Sequence, residues 1–454
     1  MPVSIQQDDP NPSISTQIEK GVLTSRSIDI SNIELMSIFN QMDAPRIILS
    51  SPHHPLSVSF GSAKTISASG HNRFKKIKME ATSLFSNLDV KNQDGTLSHP
   101  KLFGGFSFDP DHQESPPWDS FPAALFILPK IQLVKSKSGF KLTVNEYTID
   151  PNPTKLESFL LSIKSKLESK LITSTFPSIK PQLTQLDSSI QYDSWISQIN
   201  EVLKSIESKS IEKVVLAQSM QATLKLPCIP INIFQTLCDQ NPGCYHFLFE
   251  QLDGTSIFGA TPELLISYND KSIRTEVLAG SSSRGKTPID DDVLSQKLMS
   301  SSKDQHEHSL VVQTLKSKIE SFTKSLNISP QKIKKLTTVQ HLWTEMSAYS
   351  NHDEHILSIA ESLHPTPAIS GTPLIEAQKI IRSTEPFNRG WYGGLIGWFD
   401  AKGNGEFSVT IRSAISNKNK VTLYAGAGVV LNSNPQDEWN EIQLKFQPIL
   451  NSLI

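Results

Sequence analysis

The first third of the chain alternates short apolar runs with turn residues, a pattern typical of antiparallel strands. The runs are RIILS (46–50), LSVSFG (56–61), KLFGGFSFDP (101–110), AALFILPKIQLV (123–134) and FKLTVNEYTI (140–149). Apolar residues at helical spacing then predict a helix over 153–170. Two segments lack an apolar period: residues 1–22, expected to be a flexible leader, and residues 172–189, expected to be a linker or a long surface loop.

The remainder of the chain is denser in predicted elements. Helical periods cover 190–206, 289–299, 301–322, 353–363, 373–383 and 436–450. Strand patterns cover 212–224, 246–251, 256–269, 272–279, 334–348, 391–400, 406–415 and 420–430. The strands come in groups and do not alternate regularly with helices, which favours an α+β fold with large antiparallel β-sheets flanked by helices. After the leader, the segment 172–189 separates an expected N-terminal part, 23–190, from an expected C-terminal part, 191–454.

Composition narrows the class of protein. The 454 residues include 43 Lys+Arg and 45 Asp+Glu, and a formal net charge of −2 argues against a main role in binding nucleic acid or an anionic membrane surface. No run approaches the roughly 18 apolar residues of a membrane helix, and the N-terminus does not resemble a signal peptide or presequence. Three irregularly spaced cysteines suit a reducing compartment. We expect a cytoplasmic protein that binds neither nucleic acid nor a membrane.

A possible phosphate loop lies at residues 280–287, where GSSSRGKT matches the pattern GxxxxGK[ST] between a predicted strand and a predicted helix. Such a loop binds phosphate through backbone N–H groups at the start of the helix. Pro288 removes one of those donors, and the acidic run 290–292 places negative charge where a triphosphate would lie. We find no downstream strand that ends in a magnesium-binding Asp, so we do not expect a nucleotide site here.

Two acidic pairs stand near predicted helix starts, Asp304 with Glu307 and Glu438 with Glu441. A spacing of three places each pair on one helix face. Taken singly, acids in a first turn most simply complement the helix dipole. If the two pairs converge, however, four carboxylates can hold a magnesium ion and leave positions for a ligand carboxylate. Spacing alone leaves both interpretations open.

Ten separated motifs resemble those of the chorismate-utilising enzymes, in that family's order. They are KVVLAQ, GATPELL, LAGSSSRG, KDQHEH, VQHLWT, HPTPAISG, YGGLIGW, TIRSA, AGAGVV and DEWNEIQLK, within residues 195–454. The family includes isochorismate synthases, salicylate synthases and the large components of anthranilate and aminodeoxychorismate synthases. The resemblance implies that 191–454 is the chorismate-binding catalytic part and that 23–190 is the family's more weakly matching N-terminal part.

The resemblance also implies roles for particular residues. Lys213 would be the general base that activates water, which requires desolvation or a cationic neighbour because a lysine is otherwise protonated at neutral pH. Glu263 would be the acid that protonates the leaving hydroxyl. Mg²⁺ would be held by Glu307 and Glu441, with Asp304 and Glu438 as direct or water-mediated ligands. Substrate contacts would come from Gly280, Ser281, His341, Ala368, Tyr392, Arg412, Gly426, Gly428 and Lys445.

Without the resemblance, Lys213 and Glu263 would be interpreted as solvated strand-end charges and His341 as a hydrogen-bonded strand residue. Three positions discriminate among family members: Lys213 suits activation of water over delivery of ammonia, Ala279 replaces the lysine nucleophile of some aminodeoxychorismate synthases, and Ala368 stands where salicylate synthases tend to have Thr.

The expected reaction is therefore the isomerisation of chorismate to isochorismate by a monomeric enzyme, with water added at C2 and the C4 hydroxyl lost. Two alternatives remain open, a salicylate synthase that goes on to eliminate pyruvate and a non-catalytic chorismate-binding relative. Gln218 departs from the family pattern, in which Arg is common at this position.

Overall fold

The structure, a computed structural model, describes residues 21–92, 100–169 and 181–454. Its strands are β1 (Val22–Ile30), β2 (Arg46–Ser50), β3 (Ser57–Ala68), β4 (Leu88–Asn92), β5 (Lys101–Phe106), β6 (Ala124–Lys135), β7 (Phe140–Thr148), β8 (Leu183–Ser188), β9 (Lys213–Leu224), β10 (Tyr245–Glu250), β11 (Ser256–Thr261), β12 (Leu264–Asn269), β13 (Ser272–Ser283), β14 (Thr323–Ile328), β15 (Lys332–Lys335), β16 (Val339–Ser350), β17 (Gly371–Thr372), β18 (Leu395–Asp400), β19 (Gly405–Val409), β20 (Ser413–Asn417) and β21 (Lys420–Val430). Its helices are α1 (Leu35–Phe39), α2 (Arg73–Phe85), α3 (Pro153–Glu168), α4 (Tyr192–Glu207), α5 (Pro230–Gln240), α6 (Pro288–Ser300), α7 (Ser302–Ile319), α8 (Ile356–Leu363), α9 (Leu374–Thr384) and α10 (Pro435–Ser452).

Strand β6 is the branch point of the sheet. Arm A leaves β6 through β3 and continues by β2, β10, β11, β20, β21 and β9, whose far edge carries β8 and β17. Arm B leaves β6 through β5 and continues by β18, β19, β12, β13 and β16. Among the described strands every pairing is antiparallel except that of β1 with β4. The expected α+β fold with large antiparallel sheets is thereby confirmed.

An aromatic core joins the two arms. Phe247 and Phe249 of arm A pack in one buried cluster with Phe103 and Trp398 of arm B, and Trp118 enters the cluster from the N-terminal part of the chain. Helices α4, α9 and α10 pack against β9 and β21, whereas α6 and α7 pack against β13 and β16. The ends of both arms are therefore covered by helices, and the candidate site lies between them. Among the described helices, none combines the length and the apolar character needed to cross a membrane.

Several sequence-based assignments were wrong. Residues 183–188, expected within a linker or surface loop, form β8, an exposed edge strand that pairs with β9 and therefore shows no apolar alternation. Residues 170–180 of that segment, like residues 1–20 of the expected leader, lie outside the described residues, and Val22 already belongs to β1. Helices α2 and α5 were missed, because α2 is rich in lysine and α5 is an 11-residue helix that begins at a proline.

Three runs that were each expected to be one strand are broken in the structure: 334–348 at 336–338, between β15 and β16, and two others at residues of the candidate site. The run 256–269 is interrupted at Pro262 and Glu263, where proline supplies no N–H to the ladder. The run 406–415 is interrupted just before Ser413, where Arg412 has a φ of 51° and leaves the extended conformation. These last two interruptions fall on residues that the sequence had singled out for chemistry.

Candidate active site

A cavity between the two arms contains most of the residues that the sequence singled out. Twelve of the fifteen line it: Glu263, Gly280, Ser281, Glu307, His341, Ala368, Tyr392, Arg412, Gly426, Gly428, Glu441 and Lys445. About 660 Å³ lies between the lining atoms, part of it open to solvent. The other three stand directly behind lining residues: Lys213 beside Glu307, Asp304 beside Gly280 and Glu438 near Glu441.

Lys213 lies in the wall of the cavity as the first residue of β9, and its side chain is fully buried. Its Nζ is 2.8 Å from Glu307 Oε1 but makes no hydrogen bond of acceptable geometry within the described chain. Gly428 on the neighbouring strand leaves room for this pair, because a Cβ there would be 2.9 Å from Lys213 Cε and 2.3 Å from Glu307 Oε1. The interpretation of Lys213 as a solvated strand-end charge is therefore wrong.

Glu263 stands in the break between β11 and β12 and is only 4% exposed. Its backbone is held on both sides, since its N–H donates to Thr261 Oγ1 and its C=O accepts from the N–H of Val409. Burial raises the pKa of Glu263 to about 8, although the positive charge of Lys213 opposes the shift. At neutral pH this carboxyl group is therefore mostly protonated and can donate a proton.

A chain of hydrogen bonds crosses the cavity floor. Arg412 donates from Nη2 to His341 Nε2 at 3.2 Å, so His341 carries its proton on Nδ1, which lies 3.1 Å from Ser281 Oγ. Ser281 in turn donates to Glu441, and Lys445 approaches Glu441 Oε1 to 2.6 Å. Burial, followed by the charges of Arg412 and Lys445, lowers the pKa of His341 to about 3. The imidazole is therefore neutral and orients its neighbours without adding charge.

Two backbone features shape this floor. Gly280 lies at a bulge of β13 with a φ of +76°, a conformation that glycine adopts readily, and a Cβ there would be 3.0 Å from the Cβ of Asp304. Arg412 also has a positive φ, which costs energy for a side chain of its kind and is common at functional sites. In this conformation the guanidinium group of Arg412 contacts His341 and lines the cavity.

The opposite wall is aromatic. Tyr392 stacks on Tyr424 with ring centroids 5.3 Å apart, and Tyr424 accepts a hydrogen bond of 3.0 Å from Trp118 Nε1. A Cβ at Gly426 would be only 3.1 Å from the Tyr392 hydroxyl. Tyr424 was not singled out from the sequence, although it precedes Gly426 and Gly428 at spacings of two and four on β21 and therefore shares their face.

The two acidic pairs converge on the same corner of the cavity, and each of three acids has a lysine partner. Lys213 pairs with Glu307, Lys303 with Glu438 and Lys445 with Glu441. Burial alone would raise the pKa of Glu441, but the charge and hydrogen bond of Lys445 lower it to about 2. Burial and the charge of Glu441 instead raise the pKa of Glu438 to about 7. The acids are thus close enough to repel one another, as a cation site requires.

The phosphate-loop match at residues 280–287 folds back on its own helix. The N–H of Gly285 donates to Asp291 Oδ1 at 2.9 Å, and Arg284 donates to both oxygens of the same carboxylate. A Cβ at Gly285 would lie 2.1 Å from the N of Asp291. The helix start that a phosphate would occupy is therefore filled by the chain itself.

Comparison with known proteins gives the family. A family model described as "Chorismate binding enzyme" matches residues 10–454. The chain belongs to the chorismate binding enzyme family. Isochorismate synthase MenF of Bacillus subtilis (strain 168) is 30% identical over 450 residues, which cover 96% of this chain and 94% of that protein. Isochorismate synthase EntC of Escherichia coli (strain K12) is 39% identical over 243 residues, 53% of this chain and 62% of that protein.

Solved structures of the chorismate binding enzymes share the fold. MenF, the menaquinone-specific isochorismate synthase from Escherichia coli, superposes with a TM-score of 0.79 at 24% identity and covers 97% of both chains. Anthranilate synthase component I from Streptococcus pneumoniae TIGR4 superposes with a TM-score of 0.68 at 19% identity, over 98% of this chain and 95% of that chain. The resemblance carried by the ten motifs is thus confirmed at the level of the family.

Proposed function

We propose that this chain is an isochorismate synthase, which converts chorismate to isochorismate. The relatives named isochorismate synthase support the proposal, one of them over 96% of this chain. The observation that carries it is the placement of two buried groups at one cavity: Lys213, whose Nζ has no hydrogen-bond partner within the described chain, and Glu263, a carboxyl group whose pKa of about 8 keeps it protonated. A base and an acid of this kind are what the exchange of one hydroxyl group for another requires.

The proposed reaction exchanges one hydroxyl group of the ring for another. Lys213, in its neutral form, accepts a proton from a water molecule while the water oxygen bonds to C2 of the ring. The ring double bonds shift, the C4–O bond breaks, and the leaving hydroxyl takes the proton of Glu263. One water enters and one water leaves, so the net change is an isomerisation. Return of the proton from Lys213 to Glu263 through solvent restores the enzyme.

The positive side chains around the cavity would position the two carboxylates of the substrate. Arg412 offers a planar fork of donors and is held in place through His341. Lys445 donates to the carbonyl of Gly426 at 2.8 Å, next to the Tyr392 hydroxyl, so these groups form one polar end of the cavity. We assign the enolpyruvyl carboxylate to this end and the ring carboxylate to Gly280 and Ser281.

We further propose that Glu307 and Glu441 hold Mg²⁺, with Asp304 and Glu438 as direct or water-mediated ligands. Carboxylate oxygens suit this ion. Glu438 Oε2 is buried without a hydrogen-bond partner in the described chain, so this oxygen is available to a cation. Among the described residues no group of three acidic, His or Cys side chains is arranged as metal ligands, and lysines pair with Glu307, Glu438 and Glu441. Bound there, the ion would clamp and polarise the ring carboxylate.

The test is incubation of the purified chain with chorismate and Mg²⁺, with the products separated by liquid chromatography. Isochorismate should accumulate. Free salicylate with pyruvate would show a salicylate synthase, which Ala368 argues against. Binding of chorismate without conversion would show a non-catalytic relative. Either of these results overturns the proposal.

Two properties complete the proposal. We expect a monomer, which light scattering in solution would check, and a cytoplasmic location, which cell fractionation would check. The location is supported by the three cysteines, all of which are free thiols, as is usual in a reducing compartment. Burial raises the pKa of the Cys244 thiol to about 11, so this thiol is unreactive at neutral pH.

A further inference from the structure

The turn that carries Glu263 is held by a lysine from a distant strand. Lys334 of β15 donates from Nζ to the carbonyl oxygen of Pro262 at 2.8 Å. Pro262 lines the cavity and directly precedes Glu263. Pro262 lies in the break between β11 and β12, where proline supplies no N–H for strand pairing, and its carbonyl takes its hydrogen bond from this side chain.

The same ammonium group is fixed from its other side. Lys334 Nζ also donates to Glu276 Oε2 at 2.8 Å, and Glu276 further accepts from Trp343 Nε1 at 3.0 Å and from Arg274 Nη2 at 3.0 Å. Glu276 is 3% exposed, so its position on β13 is well defined. The lysine therefore connects a rigid buried carboxylate to the backbone of the turn.

We propose that Lys334 is a positioning residue for Glu263: anchored by Glu276, it fixes the Pro262–Glu263 turn so that the carboxyl group of Glu263 faces the cavity. This inference rests on the proposed function, in which Glu263 is the proton donor. The family motifs include Glu263 and exclude Lys334, which stands just before the segment VQHLWT and was not singled out by the sequence.

Lys334 and Glu276 also act on the protonation of Glu263. The groups whose charges face Glu263 are Lys213, Lys334, Glu276 and Lys445, and the pKa shifts of Tyr392 and Arg412 in turn reflect Glu263. Among these, Lys334 lowers the pKa of Glu263 and Glu276 raises it, against the larger effect of burial. Removal of either charge should therefore shift the pKa of Glu263, in opposite directions.

The experiment compares Lys334→Met and Glu276→Gln. Lys334→Met should lower kcat about 10-fold, because the turn loses its anchor, and should move the basic limb of the kcat/KM profile upward by about 1 pH unit. Glu276→Gln should move that limb downward. Lys334→Arg should restore both quantities. The matched control is Lys335→Met, which removes the next lysine of the strand, one that pairs with Asp291 and should change neither quantity.

If Lys334 only contributes to packing, Lys334→Met should lower stability and kcat but leave the basic limb of the kcat/KM profile in place, and that result would overturn the inference. Equal shifts of the basic limb in Lys334→Met and Lys335→Met would overturn it as well. The carboxyl titration of Glu263 can also be followed without any substrate, as the infrared C=O band that is lost in Glu263→Gln. If the pH at which this band titrates shifts as expected in Lys334→Met, but the unmodified chain does not convert chorismate, only the proposed function is contradicted. If the chain converts chorismate and the titration of the band does not shift in Lys334→Met, only the role of Lys334 is contradicted.

Discussion

At the scale of single residues, burial gives Lys213 and Glu263 properties that their residue types seldom have in water. Lys213 is 0% exposed and Glu263 is 4% exposed, and both lie where a strand begins or breaks. Lysine and glutamate are almost never fully buried without a partner. Here the partner of the lysine is Glu307, and Glu263 avoids the cost of a buried charge by keeping its proton.

Replacement of the candidate base tests this arrangement. Lys213→Ala should lower kcat by about 10³-fold, within the range of general base catalysis, while chorismate still binds in the presence of Mg²⁺. Product analysis of quenched reactions would measure turnover, and titration calorimetry would measure chorismate binding separately. The control is Lys225→Ala, an exposed lysine just beyond the end of β9. Unchanged turnover in Lys213→Ala would remove this residue from the role of base.

Gln218 offers a second test at this scale, one that concerns stability. It stands on β9, is fully buried, and neither atom of its amide has a hydrogen-bond partner within the described chain. A buried polar group without a partner costs about 1–3 kcal/mol. Gln218→Leu should therefore raise Tm, by about 2 °C. Gln221→Leu, at a partly exposed position of the same strand, should give no gain. A lower Tm for Gln218→Leu would mean that bound water satisfies the amide.

At the scale of elements, the starts of α7 and α10 bring the two acidic pairs together. Each acid lies near a helix start, as the helix-dipole interpretation expects, and the two helices also converge on one corner of the cavity. The magnesium interpretation stays a prediction. The sequence could place each pair on one helix face, because helical spacing is local. It could not show convergence, which depends on how β13 and β21 pack beneath the helices.

The metal proposal is tested on these helices. Glu441→Gln should weaken Mg²⁺ binding about 10-fold or more, because it replaces a charged oxygen ligand by a neutral amide. Titration calorimetry with Mg²⁺ and Mn²⁺ measures this directly, without turnover. Asp437→Asn is the matched control, since Asp437 is exposed in the same first turn of α10. Equal affinity in Glu441→Gln and the unmodified chain would exclude Glu441 as a ligand.

Buried strands could be predicted from the sequence, whereas an exposed edge strand and a long-range side-chain contact could not. Strands buried on one or both faces, such as β6 and β9, were predicted because their apolar residues are continuous or alternate. The edge strand β8 was missed because its side chains are exposed and polar, so its only support is the backbone ladder with β9. Lys334 was missed for a similar reason: its contact with Pro262 joins residues 72 positions apart, and no local pattern records it.

At the scale of the whole molecule, the two parts of the chain share one core. Strand β5 completes arm B beside β18, and β2 completes arm A beside β10. Trp118, from the N-terminal part, donates to Tyr424 behind the cavity. The motifs alone could suggest a self-sufficient half from residue 191 onward, but these pairings make that half depend on the other.

We therefore expect residues 191–454 expressed alone to be unfolded or aggregated, because the edges of β9, β10 and β18 and the shared aromatic core would be exposed. Co-expression with residues 1–190 should restore a soluble complex. Circular dichroism and size-exclusion chromatography would measure both outcomes. A cooperatively folded 191–454 fragment would contradict the dependence and would show two separable domains.

The lysine–carboxylate pairs around the cavity have a thermodynamic consequence. Lys213, Lys303 and Lys445 already neutralise Glu307, Glu438 and Glu441. If Mg²⁺ bound alone, it would displace the lysine side chains from the carboxylates and leave their positive charges without partners. If the dianionic substrate bound alone, its carboxylates would be repelled by the carboxylates of the site. Each ligand supplies the charge that the other leaves unbalanced. Their binding should therefore be positively cooperative, and by reciprocity each should raise the affinity of the other by the same factor.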